Sequence, residues 1–250
     1  MPVQEVREAL RGAFAPWGMP GLLRIDNGHP WGSAGDLPTD LALWLLGLGI
    51  DLWWNRPRRP QDNGVVERSQ GTGKRWGESR TCPNPPEFQK RLDELDRLQR
   101  ERYAYKKRKS RSEWHPDLRH SGRAYTADWE QQNWNWDRMA THLSGYCVER
   151  HVDQKGQISI YNRNHYVGVP HRNKTVWVMF DAEMCQWAVA NEHGQILKEI
   201  KAEEVRSPCV RALEVTHRRG AHHVTTPGGA TGPPGAAKRC RNFAAKLPVG

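Results

Sequence analysis

The chain has 250 residues, a mean hydropathy of −0.85 and a formal net charge of +10. Its longest apolar run, residues 41–50, is about half of the roughly 20 residues that a membrane helix needs, and the N-terminus lacks a secretory signal pattern. Five scattered cysteines without a Cys-x-x-Cys pair argue against a zinc or redox site. We therefore expect a soluble, cytoplasmic protein with reduced thiols and no membrane partner.

Two apolar segments near the N-terminus predict neighbouring strands of one buried, mixed sheet. The first, residues 22–25, ends at Asp26, which opens an Asp-Asn-Gly turn signal. The second, residues 50–54, follows a helix that Thr39 could cap and that is apolar nearly all round. Taken alone, Asp26 is more simply explained as an Asx-turn residue than as a functional carboxylate.

From Gly64 the chain can form a helix that places a carboxylate and basic side chains together. Glu67 and Lys74 are seven residues apart, about two turns, so they share one face, and Arg68 and Arg75 repeat this relation one step round. Such a face could hold a metal ion and a phosphate. Glutamate at a helix start also has the ordinary role of offsetting the helix dipole, and two internal glycines count against the helix.

A second helix, predicted from residue 86 to about residue 105, is expected to pack on the sheet. The basic run after it contains Lys106, Lys107 and Arg108 and is predicted to be an exposed linker. A run of this kind is more often a solvated face than a DNA site. Beside a metal-binding carboxylate we instead expect a basic run to be a DNA site, because DNA phosphates must be held near the metal.

The C-terminal part changes to short strands at roughly ten-residue spacing, broken by turn signals. This spacing, from residue 145 to 206, predicts a small antiparallel barrel. Residues 207–250 are rich in Gly and Pro and contain seven Lys or Arg against one Glu. They cannot bury enough apolar surface to offset chain entropy, so we predict a disordered basic tail.

Together these residues resemble the retroviral-integrase-like DDE transposases, whose core has an RNase H-like fold. The resemblance depends on the Asp-Asn-Gly turn after a strand, on the loop at 57–64 with Glu67 three residues beyond it, and on Lys74. It implies three acidic ligands for Mg²⁺ or Mn²⁺, of which Asp26 would be the second and Glu67 the third. The first is expected on a strand upstream of Asp26, and only 25 residues precede Asp26 here.

The resemblance also implies a domain order and a function. Residues 1–106 would be the second half of an RNase H-like α/β core, 107–144 a linker with a short helix, 145–206 a small β-barrel similar to the DNA-binding barrel of several transposases, and 207–250 the tail. The implied activity is Mg²⁺-dependent cleavage and transfer of DNA strands, with transposon ends and target DNA as partners and a homo-oligomer in the full-length enzyme. Asn63 and Gly64 would shape the loop before Glu67, and the implied DNA contacts are Lys74, Arg68, Arg75, Lys106, Lys107 and Arg108.

Two other interpretations stay open. A chain with two of three metal ligands is also consistent with an inactive transposon remnant or a DNA-binding regulator of transposition. A nuclease of the same fold would share the metal chemistry. If the chain alone were active, Asp51 and Asp62 would be the first candidates for the third ligand.

Overall fold

The computed structural model describes residues 2–32, 36–56, 60–117 and 119–216, except for the side chains of Pro60 and Asp62. The N-terminal part contains α1 (Val3–Trp17), β1 (Leu22–Ile25), α2 (Asp40–Gly47) and β2 (Asp51–Trp54). A 3-10 helix (Pro60–Asn63) leads into α3 (Gly64–Gly77), and α4 (Pro85–Glu101), α5 (Arg111–Trp114), α6 (Ala127–Asn133) and α7 (Trp136–Ser144) follow. The remaining elements are β3 (Cys147–His151), β4 (Gln157–Ile160), β5 (Arg163–Tyr166), β6 (Thr175–Asp181), β7 (Gln186–Ala190), β8 (Ile196–Lys201) and α8 (Ser207–Ala212).

The two predicted N-terminal strands are neighbours. β1 and β2 pair in parallel, with Leu22 opposite Asp51 and Ile25 opposite Trp54. Between them, α2 begins where the Thr39 side chain accepts a hydrogen bond from the backbone N–H of Ala42, which is the cap that the sequence predicts. Every residue of α2 is buried, as its continuous apolar run indicates.

One hydrophobic core connects α2 with the C-terminal strands. Trp44 of α2, Leu143 of α7 and Trp187 of β7 are all 0% exposed and belong to the same cluster of buried side chains. The indole N–H of Trp134 donates to the carbonyl of Trp44 at 3.0 Å, which fixes α2 against the chain before α7. The N-terminal helices and the predicted barrel region therefore share an interior.

Glu130 of α6 is a buried carboxylate that joins three parts of this interior. Arg11 donates to both of its oxygens, at 3.0 and 2.5 Å, while Trp44 donates to Oε1 at 3.0 Å and the Tyr125 hydroxyl to Oε2 at 2.6 Å. Burial alone would raise the pKa of Glu130, but the hydrogen bonds from Arg11, Tyr125 and Trp44 outweigh burial and lower it. The side chain is thus held as a charged, fully engaged carboxylate.

The prediction of a closed barrel is wrong for the described residues. β3, β6, β7 and β8 form an open antiparallel sheet in that order, and β4 and β5 pair with each other as a separate hairpin. Lys198, Glu199 and Lys201 lie exposed along β8, at the edge of the sheet, where charged side chains discourage further pairing. The spacing indicated the strands correctly, but it contains no information on closure, which depends on which strand edges meet.

The helices α3, α4 and α5 form an arm. α4 packs mainly against α3 and α5 and contains no fully buried residue, which differs from the predicted packing on the sheet. A Cβ atom at Gly77 of α3 would lie 3.0 Å from Phe88 and 3.2 Å from Leu92, so glycine permits the close contact between α3 and α4. The apolar stripe of α4 therefore stabilises the arm rather than the sheet.

The folded chain continues past the predicted start of the tail. α8 follows residue 206, and Val210, Leu213 and Val215 are buried. The Gln4 side chain donates to the carbonyl of Ala212 at 2.9 Å, which joins α1 to the end of α8. The rest of the predicted tail, 217–250, lies outside the described residues, and none of the helices in the described part is long and apolar enough to cross a membrane.

Candidate metal and DNA-binding site

Asp26 lies directly after β1, where the chain leaves the sheet. Its Oδ1 accepts the backbone N–H of Gly28 at 2.5 Å, which is the Asx turn that the Asp-Asn-Gly sequence predicts. The side chain is exposed, and the turn uses only one of about four acceptor positions of the carboxylate. The turn role and a ligand role are therefore compatible in this residue.

Glu67 is an exposed residue in the first turn of α3. The helix forms as predicted, and Gly64 is its first residue. Asn63 precedes it at the helix boundary, four residues before Glu67, and residues at this spacing lie on one helical face about 5–6 Å apart. The Asn63 side chain does not cap α3 and is instead engaged with the sheet.

Asn55, one residue after β2, connects the two regions that contain these carboxylates. Its backbone N–H donates to the carbonyl of Ile25 at 2.8 Å, and its own carbonyl accepts the side-chain amide of Asn27 at 2.6 Å. Its side-chain Oδ1 accepts Arg24 Nε at 2.6 Å, while its Nδ2 donates to Asn63 Oδ1. Asn55 is only 8% exposed, so it joins the ends of both strands to the start of α3 from a protected position.

This hydrogen-bond network places the turn of Asp26 and the first turn of α3 at the same edge of the sheet. Asp26 is the chain neighbour of Asn27, and Glu67 is one helical turn beyond Asn63. The edge is the carboxyl end of two parallel strands, which is where open α/β sheets bind their ligands. The two carboxylates that the resemblance selected are thus held on neighbouring, connected elements.

The described residues do not supply a third ligand at this edge. Asp51 is opposite Leu22, at the other end of β2, and three residues of strand correspond to about 10 Å. Within the ranges that the structure describes, no group of three or more His, Cys, Asp or Glu side chains could hold a metal ion. The side chain of Asp62 and residues 57–59 of the proline-rich loop lie outside those ranges.

The donor set at the edge suits one hard divalent cation. Mg²⁺ prefers oxygen ligands, and it is commonly bound by one or two carboxylates together with water and substrate phosphates. Asp26 and Glu67 offer two exposed carboxylates of this kind. Two carboxylates are suited to holding a single ion weakly, and they are too few to surround an ion with protein ligands.

The predicted basic contacts fall into two groups on the arm. Arg68, Lys74 and Arg75 are exposed on α3, the helix that also carries Glu67. Lys106 and its basic neighbours Lys107 and Arg108 are exposed beyond α4. The structure therefore connects both groups through packed helices of one arm, although they are far apart in the sequence.

Asn55 and Arg24 were not identified from the sequence. A usable signal was present, because an asparagine follows each of the two parallel strands, as Asn27 and as Asn55. The side-chain partner of Asn55 is eight residues away across the proline-rich loop, so no local spacing rule predicts it. No protein-family model matches the sequence.

Proposed function

We propose that this chain is part of a DDE-type transposase core that binds DNA and holds a divalent cation between Asp26 and Glu67. The observation that carries the proposal is the Asn27–Asn55–Asn63 hydrogen-bond network, because it joins the turn of the first carboxylate to the helix of the second. The resemblance to DDE transposases selected the same two carboxylates independently of this network.

The proposed site separates metal-binding residues from phosphate-binding residues. Asp26 and Glu67 would hold Mg²⁺ or Mn²⁺, and Lys74, Arg68 and Arg75 on the same helix as Glu67 would contact DNA phosphates. A bound Mg²⁺ supplies positive charge that stabilises the oxygens of a reacting phosphodiester. Asn63 and Gly64 would fix the start of α3, so that Glu67 stays at the edge where Asp26 lies.

The number of ligands limits what the chain would do alone. A two-metal site that stabilises both the attacking and the leaving oxygen would need more carboxylates than Asp26 and Glu67 supply. With Asp26 and Glu67 only, we expect DNA binding but no strand cleavage or joining above background. The missing ligand would come from a further polypeptide segment.

A second candidate function is a non-catalytic DNA-binding protein, either a transposase remnant or a regulator that competes with the complete enzyme. The position of Asp51 favours this candidate. Asp51 was one of the two acidic residues that could have completed the metal site, and it lies at the end of β2 away from Asp26. The basic residues on α3 and beyond α4 would serve this function equally well.

One set of experiments separates these possibilities. Binding of a 30-base-pair duplex would be measured by fluorescence anisotropy from 50 to 300 mM salt, and strand transfer would be measured with Mg²⁺. Both would be repeated with the polypeptide encoded by the upstream reading frame, which is expected to carry the first Asp. Strand transfer that occurs only when the upstream polypeptide is added supports the transposase. Salt-dependent DNA binding without strand transfer, with or without the upstream polypeptide, supports the regulator.

Two variants test the assigned roles. Glu67→Gln should leave DNA affinity nearly unchanged, because it removes a metal ligand and no phosphate contact. Lys74→Gln should weaken binding and reduce the slope of log K against log salt by about 0.9. Absence of salt-dependent binding by the unmodified chain would refute both candidate functions.

A further inference from the structure

Residues 105–109 form a tight hairpin, here called the basic hairpin, instead of the irregular linker that the sequence predicts. The backbone N–H of Tyr105 donates to the carbonyl of Lys109 at 2.7 Å, and that of Lys109 donates to the carbonyl of Lys106 at 2.9 Å. The two central residues, Lys107 and Arg108, have φ angles of 49° and 63°. Two consecutive positive φ angles are the geometry of a type I′ turn.

The residue types at the tip are unfavourable for this geometry. Type I′ turns strongly prefer Asn-Gly, because at positive φ a Cβ atom crowds the following carbonyl oxygen, which glycine avoids and asparagine tolerates. Here Lys107 and Arg108 occupy both central positions and are exposed. Backbone strain of this kind is concentrated at functional sites, where the surrounding structure holds it in place.

The base of the basic hairpin is held by aromatic and helical contacts. The Lys106 ammonium lies 4.8 Å from the ring centroid of Trp114, and the Arg111 guanidinium lies 5.5 Å from that of Tyr105. α5 follows directly after the hairpin, and the side chains of its N-cap residue Ser110 and of Glu113 form a reciprocal capping box. Ser110 is 3% exposed, so the hairpin projects from an anchored, partly buried base.

We propose that the basic hairpin is a preformed phosphate-binding element that contacts the same DNA duplex as α3, with Lys107 and Arg108 as its contact residues. This inference rests on the proposed DNA-binding function and adds the shape and the contact residues of a second site. An ordered tip loses less conformational freedom on binding than a flexible linker. Adjacent like charges in a rigid turn are stabilised by a closely spaced row of anions, which a DNA backbone provides.

The arrangement of the arm favours duplex DNA as the partner. α4 packs against both α3 and α5, so the basic residues of α3 and the basic hairpin belong to one continuous arm. Two basic groups joined by packed helices suit a stiff ligand that presents phosphates at both places. A duplex has this stiffness, whereas a single strand can reach either group independently.

The double substitution Lys107→Asn/Arg108→Gly provides a sharp test. It introduces the dipeptide that the turn prefers and removes two positive charges, so the hairpin should be retained while phosphate contacts are lost. We expect affinity for a 30-base-pair duplex to fall at least tenfold at 50 mM salt. The slope of log K against log salt should decrease by about 1.8, which corresponds to two phosphate contacts. The melting temperature should stay equal or rise.

Lys198→Gln/Lys201→Gln is the matched control, because both lysines are exposed on β8 and the loss of charge is the same. It should leave the salt slope unchanged. Equal loss of affinity in the control and in the hairpin variant would overturn the inference, because net charge alone would then explain the effect. A hairpin variant that binds the duplex like the unmodified chain, while Lys74→Gln weakens binding, would overturn the inference and leave the proposed function standing. Tighter binding of single-stranded than of duplex DNA, with the same dependence on Lys107 and Arg108, would reject the duplex as partner.

Discussion

The side-chain amide of Asn55 donates a hydrogen bond to Oδ1 of Asn63, and this contact joins the parallel sheet to the helix that carries Glu67. The same residue also accepts hydrogen bonds from Arg24 and Asn27 of the other strand end. One buried residue therefore joins the Asp26 turn, through its backbone carbonyl, to the start of α3, through its side-chain amide. This relationship, rather than the acidic residues alone, makes the edge of the sheet a candidate site.

Asn55→Ala should destabilise the fold and weaken the site together. The substitution removes the two side-chain hydrogen bonds that Asn55, at 8% exposure, makes with Arg24 Nε and Asn63 Oδ1, so we expect it to cost about 1–3 kcal/mol in the free energy of unfolding. Urea denaturation measures this cost, and Mn²⁺ affinity measures the effect on the site. Asn133→Ala is the control, because that exposed amide donates to the carbonyl of Trp129 of its own helix. Equal effects in both variants would contradict the role given to Asn55.

Glu130→Gln should lower the free energy of unfolding by about 2–3 kcal/mol, because the Arg11 guanidinium would lose its buried carboxylate partner. Glu8→Gln is a matched control, since Glu8 also pairs with Arg11, at 2.8 Å, but its side chain is 61% exposed. The control should change stability by less than about 1 kcal/mol. A larger effect for Glu8 than for Glu130 in urea denaturation would refute the central role of the buried pair.

The stabilisation by Glu130 should depend on pH in a defined direction. Its pKa in the folded chain is lowered from the ordinary value of 4.5, so its contribution is present above pH 4.5 and is lost as the pH falls through the lower folded pKa. The difference in unfolding free energy between the unmodified chain and Glu130→Gln should therefore be constant near neutral pH and shrink below about pH 4.5. Urea denaturation at several pH values would show this, and a difference that grows on acidification would contradict it.

Two glycine-to-alanine substitutions in helices should have opposite effects on stability. A Cβ atom at Gly47 of α2 would lie 2.1 Å from Cε2 of Trp134, so Gly47→Ala should destabilise by at least about 2 kcal/mol. A Cβ atom at Gly71 of α3 meets nothing within 4 Å, so Gly71→Ala should stabilise that helix by up to about 1 kcal/mol. Urea denaturation of both variants measures the contrast. Destabilisation by Gly71→Ala would contradict the open space around Gly71.

Local sequence signals predicted the elements that local chemistry controls. Thr39 caps α2, the Asp26 turn ends β1, and Glu67 lies in the first turn of α3, as expected. Long-range features were not predictable in this way. The open sheet depends on which strand edges pair, and the contact between Asn55 and Asn63 crosses an intervening loop.

The basic hairpin escaped prediction for a different reason. Its central residues, Lys107 and Arg108, lack the Asn-Gly signal that normally indicates a type I′ turn, and four consecutive basic residues suggested an exposed linker. The contacts that hold it come from Trp114 and from the capping box of α5, beyond the turn itself. Turn propensity alone therefore pointed away from the observed structure.

The central claim is that Asp26 and Glu67 share one divalent cation, and Mn²⁺ binding measured by electron paramagnetic resonance tests it most directly. The unmodified chain should bind one Mn²⁺ weakly, and Asp26→Asn and Glu67→Gln should each raise the Kd at least about tenfold, as expected for loss of a direct ligand. Asp51→Asn is the control, because this exposed carboxylate lies at the far end of β2. It should bind Mn²⁺ like the unmodified chain. Unchanged affinity in both Asp26→Asn and Glu67→Gln, or an equal loss in Asp51→Asn, would contradict the shared site.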